Sequence, residues 1–567
     1  MNKTIVPVSM IAISMLGSCS SDTIEENIIE KPSVEIKDGM LTPEVLEAFG
    51  RLQEIAPSPD GSQIAFTLAY ESIEENKSNA EIYIINADGS DMTRLTKTAS
   101  SESSICWYGG ENPRIAFINN DTDSGKPQVF SMTPSGEEVE KITSLENGVE
   151  CFKISPDEKH IIVASPIKPW EKDSTLFAGL DKTTGRLVND LMYKHWDEWV
   201  EEIPHPFLGE FNGKSADNFI DIMEGELYEC PMRPFGGAES FAFSPDGKQL
   251  VYVSRKLKGK EYAFSTDSNL YLYDIESKTT KNLTPDNPGY DTDPAFSPDG
   301  SQLAWLSMAT PKYESDKKRL MVMDMKSGSV RDLTDEWKYW PEEIIWAPDG
   351  KDIYFAGYYE GTEPIFKINV ASKDITQLAE GMWDYNSVHP LADGSMIALR
   401  HNMLRPNDII SLSPDGKIAQ ITDINKEILD QLAEVKVEKH TVKTTDGKDM
   451  TAWIILPPDF DPQKQYPGIL YCQGGPQQAV SQFWSYRWNF RIMAANGYVV
   501  IAPNRRGVPG FGDEWNRQIS GDYNGQNMKD YLAAADYLAD LPYVDKSHIG
   551  AIGASYGGFS VYKLAGI

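Results

Sequence analysis

Cysteine and basic residues are scarce in this sequence of 567 residues. Only 5 cysteines occur, and four of them (Cys106, Cys151, Cys230 and Cys472) are scattered without a Cys-x-x-Cys pair or a His/Cys cluster. The sequence therefore gives no support for a zinc site, predicts neither a metal nor a cofactor, and permits disulfides without implying them. Lys and Arg number 53 against 85 Asp and Glu, a net charge of −32. A surface this acidic repels phosphate and argues against a nucleic-acid partner. It serves solubility, or it attracts cations such as the free amino group of a peptide.

Long hydrophobic runs are also missing, apart from one near the N-terminus. After Lys3, residues 4–16 are apolar but too short to cross about 30 Å of hydrocarbon as a helix, which is typical of a signal peptide over residues 1–18. Residues 16–19 end in Cys19 and resemble the bacterial lipoprotein box, with a polar tether over residues 19–40. We expect lipidation of Cys19 and an anchor at the bacterial cell envelope, in the periplasm or outer membrane. The alternative is ordinary signal cleavage beside an incidental cysteine.

A repeated turn organises residues 41–430. Ser-Pro-Asp-Gly or a near variant begins at Ser58, Ser155, Ser244, Ser297 and Ala347, and alternating apolar residues follow each copy. Pro fixes φ, Asp bonds nearby backbone and Gly accepts positive φ, so each copy predicts a turn that leads into a strand. With two degenerate copies, near residues 107–117 and 391–394, there are seven units of about 45 to 50 residues, the period of four-stranded propeller blades. The pattern predicts an all-β propeller; it favours seven blades and leaves eight open.

One repeat contains an insertion. Ser155 and Ser244 are 89 residues apart, whereas the next two intervals are 53 and 50. Within the insertion, Met192, Trp196, Trp199 and Val200 fall at helical spacing, which predicts a helix that ends at Pro204. Like-charged pairs at i,i+4, Asp197 with Glu201 and Glu198 with Glu202, would weaken such a helix and invite a cationic partner. The alternative is a solvated acidic face.

The sequence pattern changes near residue 430. Apolar runs at 453–456, 468–471, 498–502 and 549–552 are suited to buried parallel strands. Amphipathic stretches such as 528–538 lie between them, and Gly497 stands where a helix C-cap belongs. This alternation predicts a doubly wound α/β domain over residues 431–567 with a mostly parallel sheet.

Two short motifs in this domain indicate acyl-transfer chemistry. Gly553-Ala554-Ser555-Tyr556-Gly557 is a Gly-x-Ser-x-Gly pattern between a strand and a helix, which exposes Ser555 as a nucleophile and offers the Tyr556 amide to an oxyanion. Gln473-Gly474-Gly475-Pro476 follows another strand and can supply a second donor, from the Gly474 amide or the Gln473 side chain. The alternatives are a glycine-rich turn and a plain β-turn.

The propeller followed by Gly553 to Gly558 resembles the prolyl oligopeptidase family, whose second domain is an α/β-hydrolase. Residues 191–199, 471–477, 481–484, 504–512 and 519–523 are similar to its bacterial dipeptidyl peptidases. The resemblance implies a serine exopeptidase that releases dipeptides from peptides with a free N-terminus through an acyl-enzyme on Ser555, with small or hydrophobic residues before the scissile bond. It leaves open whether the protein forms a homodimer.

The resemblance transfers to individual residues only in part. In the dipeptidyl relatives a pair of glutamates binds the substrate ammonium group, and Trp199-Val200-Glu201-Glu202 resembles that motif. Gln473 departs from the family pattern, which commonly has Tyr or His at this position. The departure leaves the side-chain half of the oxyanion hole open and affects the backbone half less.

The catalytic base and its orienting aspartate are not apparent. In this fold they follow the serine, but residues 556–567 contain no Asp, Glu or His. His548 lies seven residues before Ser555 on the same strand, about 23 Å away at ~3.3 Å per residue. We therefore expect the sequence to be the N-terminal part of a longer peptidase and to be inactive by itself. Two alternatives are a propeller binding protein with a degenerate hydrolase, and an α/β-hydrolase esterase.

Overall fold

A computed structural model describes residues 28–168, 179, 182–186, 188 and 190–567. The predicted signal peptide and lipidation site at Cys19 lie outside these residues. No helix in the described ranges is long and apolar enough to cross a membrane. The four cysteines found there, at positions 106, 151, 230 and 472, are free thiols.

Seven four-stranded antiparallel sheets form the first domain, which confirms seven blades. In blades 1 to 4 the strands are β1 (Arg51–Pro57), β2 (Gln63–Ser72), β3 (Lys77–Asn86), β4 (Thr93–Arg94); β5 (Ser103–Tyr108), β6 (Arg114–Asn120), β7 (Pro127–Met132), β8 (Glu140–Lys141); β9 (Cys151–Ile154), β10 (His160–Ile167), β13 (Ile203–Phe211), β14 (Ala216–Asp221); and β15 (Phe241–Phe243), β16 (Gln249–Ser254), β17 (Asn269–Asp274), β18 (Thr279–Asn282). In blades 5 to 7 they are β19 (Asp291–Phe296), β20 (Gln302–Ser307), β21 (Arg319–Asp324), β22 (Val330–Asp332); β23 (Trp340–Trp346), β24 (Asp352–Tyr358), β25 (Ile365–Asn369), β26 (Ile375–Gln377); and β27 (Asp384–Pro390), β28 (Met396–Asn402), β29 (Arg405–Leu412), β30 (Ile418–Gln420).

The repeated Ser-Pro-Asp turn joins the first and second strands of a blade. In blade 1 the Ser58 hydroxyl donates to Asp60 Oδ1 at 2.6 Å and accepts from the Gln63 amide at 3.0 Å. The same two bonds recur at the turns that begin with Ser155, Ser244 and Ser297. One serine hydroxyl thus closes the turn and starts the next strand.

Packing between the first and last blades closes the ring. Side chains of β2, including Ile64 and Phe66, share one buried cluster with Leu399 of β28 and Ile409 of β29. Each blade therefore buries its apolar faces against both neighbours, as a closed propeller requires.

The insertion lies within blade 3, and its predicted helix is wrong. The residues form a small hairpin of β11 (Lys194–His195) and β12 (Glu198–Trp199), in which Lys194 is opposite Trp199. Trp196 turns the chain with φ 55°, and the rings of Tyr193 and Trp199 lie 6.0 Å apart across the hairpin. Aromatic pairing across two strands stabilises this turn, whereas the repelling acidic pairs would have weakened a helix.

A five-stranded sheet in the order β31-β32-β34-β33-β35 forms the second domain. Its strands are β31 (Lys436–Lys443), β32 (Asp449–Leu456), β33 (Tyr466–Cys472), β34 (Val499–Pro503) and β35 (Val544–Gly553). The helices of the two domains are α1 (Pro43–Glu47), α2 (Gly259–Ala263), α3 (Lys426–Leu429), α4 (Phe490–Ala495), α5 (Asp513–Arg517), α6 (Gln526–Asp540) and α7 (Tyr556–Ala565). Helix α4 packs on one face of the sheet and α6 and α7 on the other, so the sheet is covered on both sides.

The sequence predicted four of these strands, β32 to β35, but missed β31 and did not give every direction. β33 pairs in parallel with β34 and β35, as predicted, whereas β32 runs antiparallel to β31 and β34. The run at 453–456 is buried on both faces, Ile454 on one side and Trp453 and Ile455 on the other, so its apolar pattern does not reveal direction. The predicted C-cap is confirmed: Gly497 has φ 86°, and its amide donates to Ala494 O at 2.9 Å.

Candidate active site

Ser555 occupies a sharp turn between β35, which ends at Gly553, and α7, which begins at Tyr556. Its backbone has φ 52° and ψ −123°, a conformation that costs a non-glycine residue about 1 to 3 kcal/mol. The turn lies at the carboxyl end of a parallel strand, where α/β sheets carry their sites. The predicted strand, sharp turn at Ser555 and helix are all present in this order.

Two glycines let the neighbouring chain approach the turn closely. A Cβ atom at Gly553 would lie 2.6 Å from the Gly557 carbonyl carbon and 2.7 Å from the Cys472 carbonyl oxygen. A Cβ atom at Gly557 would overlap that same oxygen. The spacing of glycines around Ser555 is therefore explained by the end of β33, which packs directly against the turn.

The segment after β33 lies beside Ser555. A Cβ atom at Gly474 would be 3.8 Å from Ser555 Cβ and 3.1 Å from Ala554 O. The structure therefore brings together Ser555, Gly474 and Tyr556. Gln473 is buried at 5% exposure, and its Oε1 has no hydrogen-bond partner among the described residues.

The propeller contributes to the rim of this site. Gln477 follows the turn at residues 473–476, here called the glycine turn. Its Nε2 amide donates to the Tyr313 hydroxyl at 2.7 Å and to Asn516 O at 3.0 Å. Tyr313 belongs to the blade 5 loop between β20 and β21, and Arg517 of α5 forms an ion pair with Asp316 of that loop. Sequence reasoning missed these contacts because they join positions 164 to 201 residues apart without a shared motif.

Glu201 and Glu202, the glutamates expected to bind the substrate ammonium group, lie in the blade 3 insertion next to other charges. Glu201 forms an ion pair with Arg186, and the Glu202 carbonyl accepts from Arg233 Nη1 at 3.4 Å. Burial raises the pKa of the nearby Glu150, and Arg233, which pairs with it, opposes the shift. Glu201 and Glu202 therefore lie next to two arginine side chains, one at the Glu201 carboxylate and one at the Glu202 carbonyl.

A chain of polar contacts connects the insertion hairpin to the rim loop. His195 Nε2 lies 2.5 Å from Glu229 Oε1, and the Tyr262 hydroxyl donates to Glu229 Oε2 at 2.9 Å. Arg255 stacks on Tyr262, with Cζ 3.7 Å from the ring centroid, and Nη1 donates to the Tyr290 hydroxyl at 3.4 Å. That hydroxyl in turn donates to Glu314, next to Tyr313, at 3.3 Å. The hairpin is thus tied to the same loop that contacts Gln477.

The seven histidines of the sequence occupy other places. The first five belong to the propeller, at positions 160, 195, 205, 389 and 401. His440 on β31 bonds Tyr537 at 2.9 Å, and His548 on β35 bonds Asp545 at 2.7 Å. These positions leave the proton acceptor of Ser555 unassigned. In the described part of the chain, no three His, Cys, Asp or Glu side chains are arranged to hold a metal ion.

Comparisons with known proteins agree with this architecture. The profile of the prolyl oligopeptidase family matches residues 484–566, and that of the TolB β-propeller domain matches residues 31–179 and 240–427. Dipeptidyl-peptidase 5 of Porphyromonas gingivalis is 46% identical over 568 aligned positions, covering 100% of this chain and 81% of that protein. Dipeptidyl-peptidase 5 of Porphyromonas endodontalis is 42% identical, covering 94% and 76%. An acylaminoacyl peptidase structure from Pyrococcus horikoshii shares the fold with a TM-score of 0.72, at 17% identity, covering 92% and 76%.

Proposed function

The chain belongs to the prolyl oligopeptidase family, and from that premise we propose that it is a serine dipeptidyl peptidase acting on peptides with a free N-terminus. The observation that carries the proposal is the placement of Ser555 on a strained strand-to-helix turn with Gly474 against it. The dipeptidyl-peptidase names of the two Porphyromonas relatives support the substrate class.

In the proposed reaction the Ser555 hydroxyl attacks the carbonyl carbon of the second residue of the peptide. A base takes the hydroxyl proton, and the carbonyl oxygen becomes an oxyanion that accepts hydrogen bonds from the Tyr556 and Gly474 amides. The base then protonates the leaving amine, which frees the remaining peptide and leaves the dipeptide on Ser555 as an ester. Water, deprotonated by the same base, releases the dipeptide. Because the base is unassigned, each assay below uses the protein expressed from its complete reading frame.

Glu201 and Glu202 are proposed to bind the substrate ammonium group. Replacing either by glutamine removes a charged hydrogen-bond acceptor, so KM for free-amine dipeptidyl amides should rise about 10-fold or more while kcat changes little. The measurement compares free and N-acetylated substrates on the wild type and on Glu201→Gln and Glu202→Gln.

Glu198→Gln is the matched control, since it makes the same charge change in the same hairpin outside the proposed pair. Equal cleavage of free and N-acetylated substrates by the wild type would refute the dipeptidyl assignment and favour an esterase or an endopeptidase. Unchanged KM in both Glu201→Gln and Glu202→Gln would refute the role of these glutamates in binding the ammonium group, but not the dipeptidyl assignment.

We also propose that acylated Cys19 holds the protein at the cell envelope, an inference supported by the box at residues 16–19. Cys19→Ala should move the protein from the membrane fraction to the soluble fraction and abolish incorporation of labelled palmitate. Ser18→Ala, which leaves the thiol in place, is the control. Membrane association that persists in Cys19→Ala would contradict a lipid anchor.

A further inference from the structure

Two adjacent arginines follow β34 and are both fully buried, but their surroundings differ. Arg506 is neutralised by two carboxylates: Nη1 lies 2.6 Å from Asp446 and Nη2 lies 2.9 Å from Asp530. Among the described residues, Arg505 has no carboxylate within ion-pair distance and bonds instead to carbonyl and hydroxyl oxygens. An uncompensated buried charge is costly, so its retention in a protein of net charge −32 calls for a reason.

The guanidinium of Arg505 holds the glycine turn at both ends. Nη2 donates directly to Pro476 O at 2.6 Å. Nε donates to the Tyr531 hydroxyl at 3.2 Å, and that hydroxyl donates to Gln473 O at 3.4 Å. The turn that carries the Gly474 amide is therefore fixed by one side chain, directly at its last residue and through Tyr531 at its first.

Arg505 also contacts the nucleophile turn. Its Cζ lies 5.0 Å from the ring centroid of Tyr556, the residue whose amide is the second predicted oxyanion donor. The Tyr556 hydroxyl donates to Tyr523 O at 2.9 Å, which holds the ring in place. The remaining nitrogen of the fork, Nη1, donates to Arg506 O at 2.8 Å, so Arg505 is held on several sides.

We propose that Arg505 is a positioning residue that holds the two halves of the oxyanion hole in register and places an uncompensated positive charge beside the developing oxyanion. This inference rests on the proposed function. The charge is fixed before the reaction and is fully buried, so it acts more strongly than it would in water. The planar fork satisfies several acceptors at fixed angles, which a lysine cannot do.

The test compares Arg505→Met, Arg505→Lys and a matched control. Arg491 is also buried, and its partners among the described residues are carbonyl oxygens, Leu404 O at 2.9 Å and Ala433 O at 3.1 Å, neither of which belongs to the glycine turn. Arg491→Met therefore reports the structural cost of losing such an arginine. For each variant we would measure kcat and KM separately, the pH profile of kcat/KM, the melting temperature, and the rate at which a fluorophosphonate labels Ser555.

Arg505→Met should lower kcat and the labelling rate about 10- to 100-fold, less than the loss of a direct oxyanion donor, with KM within about twofold. The acid limb of its kcat/KM–pH profile should move to higher pH, because removing a nearby positive charge raises the pKa of the catalytic base. Arg505→Lys should lose part of kcat without that pH shift. Arg491→Met should lower the melting temperature and leave kcat, labelling and the pH profile near wild type.

A wild-type kcat, labelling rate and pH profile in Arg505→Met would overturn the inference, whatever the melting temperature. If Arg505→Met does not fold, Arg505→Lys decides, and wild-type kcat and labelling in that variant would overturn it. Labelling of Ser555 needs no dipeptide, so wild-type protein that is labelled but cleaves no free-amine dipeptidyl amide refutes the proposed substrate and still tests Arg505. Wild-type protein that is neither labelled nor active overturns both.

Discussion

Ser555→Ala is expected to abolish dipeptide release, lowering kcat by about 10⁴-fold or more, because acylation has no other nucleophile. The hydroxyl stands at the apex of the turn, and Gly474 and the Tyr556 amide are the groups placed beside it. The assay measures release of a chromogenic amine from free-amine dipeptidyl amides. Substrate affinity should change little, since the serine is not part of the proposed anchor.

The matched control for this substitution is Ser547→Ala. Ser547 is an exposed residue of the same strand, β35, and its hydroxyl donates to Asp545 Oδ1 at 2.6 Å. It should retain wild-type kcat and KM. Substantial activity in Ser555→Ala would show that the turn at Ser555 does not supply the nucleophile. The esterase alternative uses the same serine and would be refuted as well.

Gly557→Ala is expected to destabilise the protein and abolish activity. The new methyl group would overlap the Cys472 carbonyl oxygen, a backbone atom that cannot rotate away. Overpacking against side chains costs about 1 to 3 kcal/mol, and a clash between two backbone segments should cost at least as much. Relief requires β33 and α7 to separate, which moves Gly474 away from Ser555. Melting temperature and fluorophosphonate labelling measure the two effects.

Gly558→Ala is the control one residue further along α7. The nearest atom to its added methyl group is Gly553 O at 3.5 Å, an ordinary contact. Alanine favours a helix over glycine by about 1 kcal/mol, so this variant should be as stable as the wild type or more so. If Gly557→Ala has the same melting temperature and the same labelling rate as Gly558→Ala, the close packing of β33 against the turn at Ser555 is contradicted.

Local patterns in the sequence predicted the parts of the fold that depend on local chemistry. The Ser58 turn and its copies at Ser155, Ser244 and Ser297 each close through one hydroxyl, and their spacing reveals the blades. The turn at Ser555 was predictable because Gly-x-Ser-x-Gly between a strand and a helix is a local pattern. The atom that excludes a side chain at Gly557, the Cys472 carbonyl oxygen, lies on a distant segment and was not predictable. The turn at residues 473–476 was predictable because it directly follows a strand.

Features decided by which segments pair, rather than by the residue pattern of one segment, were not predictable. The spacing of Met192, Trp196 and Trp199 fits a helix, but a pairing between strands decides the actual hairpin. The apolar run in β32 is the same whether its neighbours are parallel or antiparallel. The partners of Arg505, Pro476 and Tyr531, lie on separate segments. The sequence Arg505-Arg506 does not show which of the two guanidinium groups pairs with carboxylates.

Mass spectrometry that locates a fluorophosphonate adduct in the protein expressed from its complete reading frame tests directly whether Ser555 is the nucleophile. We expect one adduct, on Ser555, that is absent from Ser555→Ala and forms more slowly in Arg505→Met. An unlabelled Ser555, or an adduct on another residue that persists in Ser555→Ala, would contradict the assignment of Ser555 as the nucleophile of a serine peptidase.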